Sequence, residues 1–179
     1  MRYVRKKYFE NSTFIKEDYK NLYTSATELG RWLATKNVIE KINDIVFTHG
    51  GISEEINSLN ISLFELNNLS RNYYFNSVKG EGNYDKKVSI LYNSKTSPFW
   101  YRGYIQQEAD ENQVIQTLQQ YNANNIIVGH TLVDQVSTFY GGKVVAIDTK
   151  HADNVSEGLL IENGKFYRID NTGKRQKIN

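Results

Sequence analysis

The stretch Asp44-Ile45-Val46-Phe47-Thr48-His49-Gly50-Gly51-Ile52-Ser53 decides how this chain is organised. Its β-branched and aromatic run is typical of a buried strand, and the two glycines predict a sharp turn directly afterwards. His49 is therefore expected at a strand end, where a rigid element carries an imidazole that faces open space. The glycines would let a ligand or a second backbone approach closely. This placement suits a metal ligand, and the alternative is a polar residue beside a hairpin.

The composition limits the classes of protein that the chain can belong to. Its 179 residues predict a single domain over residues 1–179, and the net charge of +2 does not predict nucleic acid or an anionic membrane as a partner. No apolar run approaches the ~20 residues that cross a bilayer, and residues 1–7 lack the apolar core of a signal peptide. We therefore expect a soluble, cytoplasmic protein. Zero Cys excludes thiolate chemistry and leaves His and oxygen ligands for any metal.

Apolar periodicity and turn residues predict an α/β order of elements. We expect helices at 2–15, from a Ser25 capping box to Leu33, across 54–76 and at 112–121. Strands are predicted at 38–42 and 44–48, then at 126–128, and finally in two hairpins turning at 141–142 and 163–164. Residues 77–93, with a tip at 79–83, are predicted to be a mobile surface loop, and 174–177 a solvated basic end.

Two further motifs carry side chains suited to a site. Gly129-His130-Thr131 ends the predicted strand at 126–128, so His130 is placed as His49 is. The segment 97–104 packs four aromatic residues around Arg102, and Pro98 is expected to fix an extended approach to it. The two imidazoles, 81 residues apart, could converge on one divalent metal. Arg102, held by Trp100 and Tyr101, could then donate two parallel hydrogen bonds to a phosphate.

These motifs together resemble those of a known family. His49-Gly50-Gly51-Ile52-Ser53, Trp100-Tyr101-Arg102-Gly103 and Gly129-His130-Thr131 look like the later motifs of the calcineurin-like metallophosphoesterases. The similarity is closest to bacterial relatives of the serine/threonine protein phosphatases. It implies an α/β fold that is the C-terminal part of a four-layer metallophosphatase β-sandwich flanked by helices, ending in a β meander.

The resemblance also implies roles for particular residues. His49 and His130 would ligate one metal of a dinuclear pair. Neutral imidazoles suit Mn, Fe or Zn as that metal. Arg102 would bind the substrate phosphate and stabilise the charge of the transition state, acting as a catalytic residue. Tyr101, Asp148 and His151 would border the site. For His151 we favour the alternative, a surface His paired with Asp148 or Asp153.

Three upstream motifs of that family are absent from this chain. They are Asp-x-His, Gly-Asp-x-x-Asp-Arg and Gly-Asn-His-Glu, which hold the first metal and supply the bridging carboxylate and the general acid. The chain is therefore predicted to be a truncated C-terminal portion with an incomplete, weak manganese-type site and little hydrolysis of its own. The alternative is a non-catalytic phosphate-binding or assembly module that keeps the phosphatase shape.

The partner predictions follow from the same resemblance. We expect a phosphorylated protein, a peptide or a small phosphoester as the substrate, and no nucleic acid or membrane partner. A half sandwich would leave an open sheet edge and apolar surface. A homo-oligomer or a strand-exchanged dimer is therefore expected to cover them.

Overall fold

The main sheet places the predicted strand ends side by side. The computed structural model describes residues 6–75, 85–151 and 156–178. Its main sheet has the strand order β1-β2-β3-β5-β4. These strands are β1 (Ile39–Ile42), β2 (Ile45–Thr48), β3 (Asn125–Val128), β4 (Ser137–Phe139) and β5 (Val144–Ala146). β2, β3 and β5 are parallel neighbours, whereas β1 and β4 pair antiparallel at the two edges. Residues that follow the three parallel strands therefore lie along one edge.

Helices cover one face of this sheet, and a small second sheet packs on the other. Within the described ranges the helices are α1 (Lys6–Phe14), α2 (Glu28–Leu33), α3 (Glu54–Ser58), α4 (Leu63–Arg71), α5 (Lys86–Tyr92) and α6 (Glu111–Gln120), with a 3₁₀ turn at Asn21–Tyr23. The second sheet is an antiparallel meander of β6 (Glu157–Glu162), β7 (Lys165–Asp170) and β8 (Arg175–Ile178).

The buried side chains form two clusters that reflect these layers. Val46, Ile126 and Val128 of the strands share the larger cluster with helical residues such as Ile56 and Val114. On the opposite face, the smaller cluster contains residues of the main sheet and, packed against them, residues of the second sheet. Its members include Ile127, Val136, Val145, Leu159 and Phe166. The alternation along β3, whose residues 126 and 127 belong to different clusters, is the period of two expected for a strand buried on both faces.

This arrangement corrects the predicted architecture. The prediction of a C-terminal part of a four-layer metallophosphatase sandwich was wrong: the described residues form an α/β domain with a mixed five-stranded sheet. The antiparallel strands β1 and β4 form the two edges of the main sheet, and all five of its strands come from this chain. The predicted self-association stays a prediction.

Most local predictions were confirmed. The β1-β2 hairpin, helix α6, strand β3 and the hairpins β4-β5 and β6-β7 lie where periodicity and turn residues put them. The 54–76 segment forms two helices, α3 and α4, within its described part. No helix in the described ranges has both the length and the apolar character that a bilayer crossing requires. The cytoplasmic location stays a prediction.

Two predictions that concern helices were wrong. Helix α2 is capped by Thr27, whose hydroxyl accepts from the Gly30 N–H, and not by Ser25. Much of the predicted surface loop is helix α5, with Val88 and Leu91 buried, while the predicted tip at 79–83 lies outside the described residues. The basic segment 174–177 is exposed, as predicted, and from residue 175 it also forms β8, which pairs with β7.

A buried amide ties helix α4 to the edge strand β1. The side chain of Asn67 is nearly inaccessible to solvent, and its Oδ1 accepts from the N–H groups of Val38 and Ile39 at 2.9 and 3.2 Å. Its Nδ2 donates to the Ile39 carbonyl at 2.9 Å. The amide thus satisfies backbone groups at the start of a strand that forms an edge of the sheet in the described part of the chain.

We predict that Asn67→Ala lowers the free energy of unfolding by about 2 to 3 kcal/mol, because it leaves buried backbone groups unpaired. Urea unfolding followed by circular dichroism would measure this. Asn112→Ala, at an exposed position in α6, serves as the matched control and should change stability by less than about 0.5 kcal/mol. Equal effects of the two substitutions would contradict the proposed tie between α4 and β1.

Candidate functional site

Two imidazoles meet at the carboxyl edge of the main sheet. β2 and β3 pair in parallel with Thr48 opposite Val128, and the Gly129 N–H extends the pairing by donating to the His49 carbonyl at 2.9 Å. The two His residues that follow these strands then face each other, with His49 Nε2 3.1 Å from His130 Nδ1. At that distance one ring donates its N–H to the unprotonated nitrogen of the other, and the tautomers decide the direction.

The glycines after His49 accommodate a second stretch of backbone. The Gly50 N–H donates to the Pro98 carbonyl at 2.6 Å. A Cβ on Gly50 would lie 2.8 Å from the Tyr101 nitrogen and 2.9 Å from the Pro98 oxygen, closer than real Cβ contacts come. Gly51 has φ of +152° and packs under the Tyr101 ring. The absence of side chains therefore lets the segment that carries Arg102 lie directly against the His49 turn.

Pro98 shapes that segment differently from the prediction. It takes the second position of a β-turn from Ser97 to Trp100, closed by the Trp100 N–H donating to the Ser97 carbonyl at 2.9 Å. The predicted extended approach was wrong. The turn brings the segment back against residue 50 and projects Trp100 and Arg102 towards the imidazoles.

The Arg102 guanidinium lies beside His130. Its Nη1 donates to the His130 carbonyl at 3.3 Å and to the Thr131 hydroxyl at 3.4 Å. Both bonds use the same nitrogen, and the side chain is exposed to solvent. The remaining N–H groups of the planar guanidinium can donate hydrogen bonds to two oxygens of one anion.

His130 occupies an unusual backbone conformation. Its φ is +62°, and the Thr131 N–H donates to the Gly129 carbonyl at 2.6 Å, so His130 sits at the centre of a three-residue turn. A positive φ is uncommon for residues other than glycine and carries a conformational cost that surrounding contacts must offset. Its Nε2 atom is buried and lacks a hydrogen-bond partner among the described residues. The turn therefore fixes the ring at the edge of the sheet, with its Nδ1 at hydrogen-bond distance from His49 Nε2.

The electrostatic surroundings favour neutral His130. Burial lowers the pKa of His130, and the Arg102 guanidinium and the neighbouring His49 ring lower it further, while the Asp148 carboxylate and the Trp100 backbone act in the opposite sense. A neutral imidazole retains an unprotonated nitrogen, which can accept a proton near neutral pH.

We predict that this imidazole makes stability depend on pH. Since the folded-state pKa lies below the ordinary His value of 6.5, the unfolded chain binds more protons below that pH, and the free energy of unfolding should fall as the solution is acidified. Urea unfolding at about pH 7.5 and about pH 5.5 would measure the fall. His130→Asn, chosen because Asn tolerates positive φ, should show a smaller fall. An unchanged fall in that variant would contradict the assignment.

The other predicted site residues have separate surroundings. Tyr101 is buried, and its hydroxyl accepts from Gln113 Nε2 at 3.0 Å. Asp148 follows β5 and is close enough to His130 to affect its pKa, and its carbonyl accepts from the Val133 N–H at 2.9 Å. His151 is exposed, and its Nδ1 is 2.6 Å from the Ser156 hydroxyl. The structure thus brings together His49, His130, Arg102 and the charge of Asp148, whereas the Tyr101 hydroxyl lies in the core.

The residues present do not fit the predicted cofactors. The prediction of Mn, Fe or Zn ions was wrong, because the described residues contain no group of three or more His, Asp or Glu side chains that could hold a metal. The two imidazoles are hydrogen-bonded to each other, and they bring no negative charge to a cation. The roles of His49, His130 and Arg102 at this edge stay a prediction.

Sequence reasoning missed two contributors to the site. Thr131 marks only the end of a motif in the sequence, although its hydroxyl accepts from Arg102 in the structure. Trp100 was expected to hold Arg102, but its ring stands edge-on to His130, with centroids 5.2 Å apart and planes at 86°. The sequence could have indicated both residues, because Thr131 directly follows His130 and Trp100 lies two residues before Arg102.

The comparisons with known proteins point to phosphatases. No protein-family model matches this chain. A cold-active protein-tyrosine phosphatase of a psychrophilic Shewanella species is 36% identical, with a TM-score of 0.89 over 99% of this chain and 54% of that chain. A further structure of a cold-active protein tyrosine phosphatase is also 36% identical, with a TM-score of 0.88 over 98% of this chain and 52% of that chain. An uncharacterized protein of Acanthamoeba polyphaga mimivirus is 29% identical over 72% of this chain and 64% of its own length.

These similarities correct the predicted family. The resemblance to calcineurin-like metallophosphoesterases of the serine/threonine type, with the chain as a truncated C-terminal portion, was wrong, because the similar solved structures are protein-tyrosine phosphatases that match nearly all of this chain. The chain spans about half the length of these solved phosphatases.

Proposed function

We propose that this chain provides the phosphate-binding and proton-transferring groups of a phosphomonoester hydrolase that acts on tyrosine phosphate in a protein, a peptide or a small ester. The observation that carries the proposal is the meeting of His49, His130 and Arg102 at one edge of the sheet. The phosphatases with similar structures support the reaction class, and their names support the tyrosine substrate.

Arg102 is proposed to bind the phosphoryl oxygens. Its Nη1 is held by the His130 carbonyl and the Thr131 hydroxyl, which fixes the direction of an otherwise long side chain. The other guanidinium nitrogens can then form parallel, charge-assisted hydrogen bonds with two oxygens of a phosphate. Such bonds strengthen as negative charge develops on the phosphoryl group, so they lower the barrier as well as hold the substrate.

The imidazole pair is proposed to move a proton at the same place. His130 Nδ1 is hydrogen-bonded to His49 and its Nε2 is buried, so the exposed ring of His49 takes up the proton. The hydrogen bond between the rings can pass it on to His130, whose lowered pKa keeps its imidazole neutral. A water that attacks phosphorus forms the new P–O bond and gives its proton to an imidazole. The ester P–O bond breaks, and the leaving phenolate oxygen takes that proton back from the imidazolium, which gives phosphate and the free phenol and restores the imidazole.

A thiolate of this chain does not take part, because the sequence contains no Cys. The covalent route through a cysteinyl phosphate is therefore closed to the side chains of this sequence. Water, or a nitrogen of the exposed His49 ring, is left as the attacking group, because His130 has one nitrogen on His49 and the other buried.

We predict that Arg102→Lys lowers kcat/KM for p-nitrophenyl phosphate and for a phosphotyrosyl peptide by about 10²-fold or more, because Lys cannot form two parallel hydrogen bonds with a phosphate. Release of p-nitrophenol and of inorganic phosphate would measure it. Arg175→Lys is the matched control, since Arg175 is exposed and its guanidinium pairs with Glu162 instead, and it should leave the rate unchanged. Equal rates for wild type and Arg102→Lys would overturn the role of Arg102.

A second candidate is a phosphate-binding module without turnover. It is favoured by the small number of groups at the described site, two imidazoles and one guanidinium, in a chain that spans about half of the similar phosphatases. For this candidate we predict that isothermal titration calorimetry detects binding of inorganic phosphate that Arg102→Ala abolishes and Arg175→Ala retains. Hydrolysis of p-nitrophenyl phosphate by the wild-type chain would exclude it.

A further inference from the structure

A cavity lies directly beside the proposed phosphate site. It has a volume of about 280 Å³ and shares Arg102 with that site. Its lining also includes Ser94, Lys95, Trp100, Gln106 and Glu108. A ligand whose phosphate meets Arg102 can therefore extend into this cavity without leaving contact with the site.

Trp100 forms a large apolar surface at this junction. Although Trp is bulky and apolar, 52% of this residue is exposed to solvent. Its ring stands edge-on to His130, so the indole contacts that imidazole on one side and borders the cavity. An exposed indole with few rotatable bonds offers contact area to a ligand at a low cost in conformational entropy.

The backbone around the cavity is held by a continuous set of hydrogen bonds. The Trp100 and Tyr101 N–H groups both donate to the Ser97 carbonyl at 2.9 Å. After Arg102, its carbonyl accepts from the N–H groups of residues 105 and 106, both at 3.0 Å, and the Glu108 N–H donates to the Gly103 carbonyl at 2.9 Å. The cavity is thus formed before a ligand arrives, which lowers the entropy cost of binding.

We propose that this cavity binds the aromatic ring of an aryl phosphate against Trp100, so that Trp100 selects aryl over alkyl phosphomonoesters. The inference rests on the proposed function, because it requires phosphate at Arg102. Stacking of one aromatic ring on an indole contributes about 1 to 3 kcal/mol, whereas an alkyl group of one carbon offers little to stack. Lys95 and Glu108 also line the cavity and supply opposite charges for the peptide that carries a phosphotyrosine.

The two tryptophans of the chain allow a direct test by fluorescence. Trp32→Phe leaves Trp100 as the single Trp, and Trp32 lies in α2, outside the lining of the cavity. In this variant, phenyl phosphate should change the emission of Trp100 and bind about 10-fold more tightly than methyl phosphate. Inorganic phosphate should bind with little change of emission.

Substitution of Trp100 then decides its role. Titration calorimetry with wild type, Trp100→Ala and Trp100→Phe would measure the ratio of affinities for phenyl and methyl phosphate. The ratio should fall to about one in Trp100→Ala and recover partly in Trp100→Phe, with Trp32→Ala unchanged as the control and circular dichroism verifying the fold. A ratio near one in wild type, or an unchanged ratio in Trp100→Ala, would overturn the inference alone. If none of the three phosphates binds, the proposed function fails as well.

Discussion

The parallel pairing of β2 with β3 is the constraint on which the site depends. It joins segments about eighty residues apart and aligns the last residue of one strand with the last residue of the other. The two imidazoles then follow their strands by one and two residues and meet without any flexible connection. The hydrogen bond from Gly129 to the His49 carbonyl extends this alignment past the ends of the strands. A shift of the register by even one residue would separate the rings and turn alternate side chains to the wrong face.

A second alignment adds the guanidinium to that pair. It depends on space, since the backbone near Pro98 and Tyr101 comes so close to residue 50 that only glycine fits there. The sequence shows the glycine pair but does not show whether a ligand or another part of the chain fills the room it leaves. In the structure a second backbone fills it. The close contact between residue 50 and the backbone near Pro98 and Tyr101 therefore serves two purposes, because it packs the two segments together and positions Arg102.

How far the sequence predicts this molecule depends on the range of the interactions involved. The hairpins and helix α6 follow from turn glycines, asparagines and apolar spacing within ten residues, and those predictions hold. Helix α5 was hidden by its polar neighbours, and only the spacing of Val88 and Leu91 marks its buried face. β8 exists because β7 offers an edge, which no local pattern of Lys and Arg reveals. Placing both His residues at strand ends succeeded, but their ligand could not be deduced, because two imidazoles at hydrogen-bond distance also satisfy each other.

The third strand of the small sheet has a consequence for how the protein behaves in a crowded solution. Residues 175–177 of β8 are exposed and include two cationic side chains, and within the described ranges the strand has a neighbour on one side only. Arg175 is ion-paired with Glu162, so Lys177 is the main positive charge of this edge. A cation on an edge strand repels the same cation on another molecule, which opposes the addition of foreign strands and the growth of fibrous aggregates. High ionic strength would screen that repulsion, so the colloidal stability of the protein depends on salt through a segment that the sequence predicts only as a solvated end.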